Sequence, residues 1–71
     1  MNLPMKVLTQ AKSNIHHATG FLETYMELTY EALSDGHRGQ LLVALQLLGE
    51  LRATTDAAQH EKAVQQELLV P

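Results

Sequence analysis

Residues 41–51 read LLVALQLLGEL. Placed at 100° per residue, Gln46 and Glu50 fall together on one narrow side. Leu41, Leu42, Ala44, Leu45, Leu47, Leu48 and Leu51 spread over roughly 220° of arc, well beyond the ~100° stripe of an ordinary surface helix. One neighbouring helix cannot cover that arc. Either this helix lies at the centre of a bundle or its extra apolar face is an interface.

Length sharpens the constraint. A chain of 71 residues is one small domain. As a monomer it buries only about 60% of the surface its unfolded form exposes. Small domains escape this limit through disulfides, a metal or oligomerisation. There is no cysteine, which excludes disulfides and thiolate metal sites. Four histidines remain as possible ligands. Otherwise self-association is the available route. A dimeric four-helix bundle is the economical expectation for a chain with two substantial helices.

Composition agrees with an all-α fold. Leu and Ala dominate, with much Glu and Gln, and these are helix formers. The only prolines, Pro4 and Pro71, lie at the two ends. Ser34-Asp35-Gly36 is the clearest punctuation. Gly36 suits the left-handed position that ends a helix, and Ser34 or Asp35 suits the turn or the next N-cap. A loop this short implies an antiparallel helical hairpin.

The expected boundaries follow from caps and periodicity. Residues 1–12 read as an N-terminal lead, in which Met5 to Thr9 are extended or already helical. Ser13 and Asn14 read as N-caps, giving a first helix over about 14–34. Its apolar positions are Ile15, Ala18, Leu22, Tyr25, Thr29 and Ala32, widened by Phe21, Leu28 and Leu33. A turn at 34–38 leads to a second helix over about 39–55. Thr54-Thr55-Asp56 reads as a break or kink, with Asp56 and Gln59 as a weak capping box. A helical extension over about 57–69 then docks on the bundle or stays free. Gly20, Ala44 and Gly49 are small enough to permit close helix approach.

Charge narrows the partners. The formal net charge is -3 with five Lys and Arg in all, a poor match for a polyphosphate backbone, so no nucleic acid is expected. No stretch approaches the roughly 18 apolar residues of a membrane span, so no membrane partner is expected. One lysine near the start with no long apolar run behind it does not make a secretory signal. Without cysteine or signal, a cytoplasmic protein is expected.

No catalytic set emerges, and the expectation is a non-enzyme without a cofactor. No GxSxG and no Gly-rich phosphate loop occur. His16 and His17 are adjacent, so they project about 100° apart and chelate poorly compared with spacing of three or four. Glu23, Glu27 and Glu31 recur every fourth residue. They form either a solvated face or an acidic strip that docks a basic partner. Arg38 and Arg52 are candidate interface anchors, with solubility or Glu pairing as the alternative. Tyr30, beside Glu27 and Glu31, is a further candidate contact. The candidate core and dimer positions are Leu22, Tyr25, Leu41, Leu42, Ala44, Leu45, Leu48 and Leu51.

Residues 36–51, GHRGQLLVALQLLGEL, resemble the second helix of a family of small pseudomonad proteins of unknown function. The matching positions are Gly36, Arg38, Ala44, Gln46, Leu48, Glu50 and Leu51. The resemblance implies a helical hairpin of bacterial or phage origin and supplies no catalytic residue. In size, acidity and hairpin shape the chain also resembles the small helical dimers that bacteria and phages use as anti-activators. That similarity implies a homodimer that binds and modulates, by inhibition, a transcription regulator or an enzyme. The competing expectations are an assembly subunit of a hetero-complex and a small metal or ligand carrier.

Overall fold

The computed structural model describes residues 3–69, with side chains for residues 3–67. Helix α1 spans Met5–Thr29, a 3-10 turn covers Tyr30–Ala32, and helix α2 spans Asp35–Leu69. The fold of the described residues is all-α, and the two helices form an antiparallel hairpin.

Helix α1 begins earlier than its side-chain caps suggest. Pro4 sits at the N-cap in extended geometry (φ -62°, ψ 147°), with no side-chain cap bond. Its carbonyl accepts from the Val7 and Leu8 amides at 3.0 and 3.2 Å. Ser13 and Asn14 are therefore interior, exposed helical residues, and the lead expected over 1–12 is helix from Met5 onward. Burial explains the extension: Leu8 is one of the three buried apolar residues among those described, so the first turns are held by packing and not by a cap.

The chain reverses through residues 30–34. Leu33 is extended (φ -86°, ψ 145°), and Ser34 caps α2 by accepting the His37 amide at its Oγ, 3.1 Å away. Asp35 then lies in the first turn, where a carboxylate favours the positive end of the helix dipole. Gly36 consequently stands inside α2, and no described residue has positive φ, so its expected left-handed role is not used. Arg38 locks the turn. Its guanidinium donates to the Leu33 carbonyl at 2.9 Å, lies 4.7 Å from the Tyr30 ring centre, and reaches Asp35 at 3.2 Å.

Helix α2 does not break at Thr54-Thr55-Asp56. Both threonine hydroxyls donate back to carbonyls one turn earlier, Thr54 to Glu50 at 3.1 Å and Thr55 to Leu51 at 2.8 Å. Hydroxyls spent in this way cannot cap a new helix. Asp56 is held instead across the hairpin by Lys12, 2.6 Å away. The expected extension is thus the second half of one helix.

The covered residues of both helices follow steps of four and three. On α1 they include Leu8, Lys12, Ile15, Thr19, Leu22 and Met26. On α2 they include Leu41, Leu45, Leu48, Thr55, Gln59 and Lys62. This 3.5-residue period is that of an antiparallel coiled-coil seam. In the same series Arg52 is exposed, which leaves a weak point beside Leu51.

Glycine does not bring the helices together. A Cβ added at Gly20 or Gly49 would meet nothing within 4 Å, so the close approach expected at these positions is absent. Gly49→Ala should therefore raise stability by up to about 1 kcal/mol, the helix-propensity difference. A urea midpoint that moves upward checks this; a downward shift would show that something packs against Gly49.

The hairpin is long and thin. Its extents are 59 × 15 × 15 Å and its radius of gyration is 16.4 Å, against about 11 Å for a compact domain of this length. It exposes 5605 Å², whereas a compact monomer of this mass exposes about 4,400 Å². The excess of about 1,200 Å² is surface that a rod of two helices leaves open.

Candidate functional site

Contacts across the seam divide the hairpin into two sides. On one, Gln59 Nε2 donates to Thr9 Oγ1 at 3.2 Å, Lys12 pairs with Asp56, and Arg38 covers Tyr30. On the other, the rings of Tyr25 and His37 lie 5.9 Å apart. Antiparallel helices pair like flank with like flank, so the helical spacing extends each side along the rod.

The first side is polar. The second is almost devoid of charge. From α1 it takes Val7, Ala11, Asn14, Ala18, Phe21, Tyr25, Leu28 and Ala32. From α2 it takes His37, Gln40, Ala44, Leu47, Leu51, Thr54, Ala58 and Glu61. Glu61 alone among them carries a full charge.

Its large side chains are open to solvent. Phe21 is 76% exposed, Leu28 79%, Leu47 57% and Leu51 50%. A continuous apolar strip over two helices is uncommon on a monomer and marks an interaction surface.

The expected core and dimer positions divide accordingly. Leu41 is buried inside the hairpin, and Leu22, Ala44, Leu45 and Leu48 are partly covered there. Tyr25 and Leu51 stand on the apolar side. Leu42 is exposed but lies on the polar side, next to the flank of Asp56, so it does not join the strip. Phe21, Leu28 and Leu47, which the sequence shows as apolar helix positions but not as interface candidates, are its other large side chains. Their signal was present: Phe21, Tyr25 and Leu28 are spaced i, i+4, i+7, and Leu47 and Leu51 are one turn apart.

The expected partner-binding residues also separate. Glu23, Glu27 and Glu31 are all exposed, away from the apolar strip. Arg52 is exposed as well. Arg38, in contrast, is committed to the turn, with its side chain only 25% exposed. Tyr30 serves as the platform beneath it while keeping half its surface open.

The histidine pair makes no evident ligand site. The His16 and His17 rings are 6.0 Å apart and inclined at 50°. Together with Gly20, Phe21 and Thr24 they outline a shallow, open depression on α1. Among the described residues, no group of three or more His, Cys, Asp or Glu is gathered as a metal would need. No helix of the described residues is long and apolar enough to cross a membrane.

Comparison with protein families, with curated proteins and with solved structures finds no match to this chain.

Proposed function

We propose that this chain is a non-catalytic, cytoplasmic protein-binding module. It works as a homodimer and modulates a second protein by binding it. The single observation behind this reading is the nearly uncharged, solvent-open strip along one side of the hairpin.

Three physical points support self-association. The hairpin buries too little to be comfortable alone: Leu8, Ile15 and Leu41 are its only buried apolar residues among those described. The strip runs the length of a rod 59 Å long and 15 Å across, comparable with the ~800 Å² per partner of a stable interface. Two hairpins joined by these strips make a four-helix bundle, in which every helix gains the second neighbour that residues 41–51 call for.

Pairing through the apolar side leaves the polar side outward. Glu23, Glu27 and Glu31 are then available to a partner with a basic surface. An acidic strip of this kind steers association and fixes orientation more than it adds affinity. Inhibition by covering a partner's surface is the simplest action for a module of this size.

Sedimentation equilibrium at micromolar concentration tests the foundation of this reading. The expected mass is twice the 7.9 kDa of one chain. A folded species that stays at the single-chain mass up to hundreds of micromolar would overturn it.

A further inference from the structure

Building on the homodimer reading, we infer that the second copy lies end for end on the apolar strip, with the two loops at opposite ends of the bundle. The observation is how size and charge are distributed along that strip.

The strip is bulky in its loop half and lean in its open half. Phe21, Tyr25 and Leu28 crowd toward the loop. Ala11, Asn14, Thr54 and Ala58 lie toward the open end. Interfaces fill best when large side chains meet small ones. Two copies face to face with their loops together would lay α1 of each on α2 of the other. That would set Phe21 on Leu47, leave Ala11 facing Ala58 across a gap, and put the Glu61 carboxylate over Val7.

Reversing one copy removes all three conflicts with a single axis. The twofold axis then lies across the rod and lays α1 on α1 and α2 on α2. At 1.5 Å per residue, Leu28 stands about 9 Å from the loop and Ala11 about 34 Å. Tyr25 stands at about 13 Å and Asn14 at about 30 Å. Phe21 is at about 20 Å and Ala18 at about 24 Å. His37 is at about 4 Å and Glu61 at about 40 Å. Each pair of heights adds to nearly the same value, close to 44 Å. One twofold axis about 22 Å from the loop therefore seats Leu28 over Ala11 of the second copy and Phe21 over Ala18. The same axis brings the Tyr25 hydroxyl to Asn14, where it can donate a hydrogen bond. It also sets the only charged group of the strip, Glu61, beside the His37 imidazole, an N–H donor. A partner of other chemistry would have no reason to match these heights; a second copy does.

The absence of cysteine makes the test direct. Glu31→Cys, at an exposed position off the strip, carries a nitroxide label, and pulsed dipolar spectroscopy measures the distance between the two labels. End-for-end pairing places them about 35 Å apart along the rod. Loops together place them level with each other on opposite corners of the bundle, on the order of 25 Å apart. A long distance supports the inference. A short one overturns it while leaving the homodimer intact. Absence of dipolar coupling, with single-chain mass by light scattering in the same sample, overturns both.

Discussion

Leu47→Glu is expected to dissociate the protein, and Leu42→Glu is not. The two leucines are equally exposed in a single hairpin, 57% each. They belong to one helix and differ by five positions, so intrinsic helix effects are the same. What separates them is the side they occupy. Leu47 lies on the nearly uncharged strip near the inferred axis, where a bundle buries it in both copies. Burying an unpaired carboxylate there costs several kcal/mol, and each 1.4 kcal/mol is tenfold in affinity. The dimer constant should weaken by at least about 100-fold. Leu42 stays in water in either state, so its replacement should act within about 0.5 kcal/mol, as surface substitutions do. Sedimentation equilibrium on both variants reads the contrast. A thermal melt of Leu47→Glu should also become independent of protein concentration, because mass action no longer adds stability. Equal behaviour of the two variants would remove the strip from any role in assembly.

The second large effect concerns the seam itself. Ile15→Ala should cost about 2–4 kcal/mol, the loss of transfer energy plus the cavity left behind. Ile15 is 7% exposed and is one of three buried apolar side chains among the described residues. A loss of that size corresponds to a fall in midpoint of about 10–25 °C for a domain of this length. Circular dichroism at 222 nm during heating measures it. Phe21→Ala removes a larger side chain, but one left 76% exposed by its own chain. In a dimer-deficient background it should hardly move the midpoint. Had the core been spread evenly along the hairpin, Ile15→Ala would be absorbed; a shift below about 4 °C would show that.

Much of this was legible in the sequence, and the remainder was hidden for identifiable reasons. The reversal at Ser34 could be read because a serine, an acid and a glycine cluster between two periodic segments. The over-wide arc of residues 41–51 could be read because a wheel needs one helix only. The start of α1 could not: Ser13 and Asn14 have the chemistry of caps, but Leu8 is buried against the other helix, and tertiary burial outweighed local preference. Thr54-Thr55 misled for a related reason. Their hydroxyls can end a helix or bond within it, and the choice depends on surroundings. The sorting of Leu42 from Leu47 was out of reach of any single wheel. It depends on which flank faces Lys12 and which faces Tyr25, contacts that join residues 44 and 12 positions apart along the chain. Gly20 and Gly49 show the converse. Their small size invited a role in close packing, yet open space surrounds both.

The slender outline of the hairpin has a practical corollary. Adding a second rod alongside the first thickens the particle while scarcely lengthening it. Friction in solution, which depends heavily on the longest axis, would therefore rise less than the mass. A single hairpin would elute from a sizing column ahead of compact standards of equal weight, and the pair would elute only slightly earlier. Rotational correlation times, which respond to girth as well as length, would distinguish one rod from two where elution volume would not.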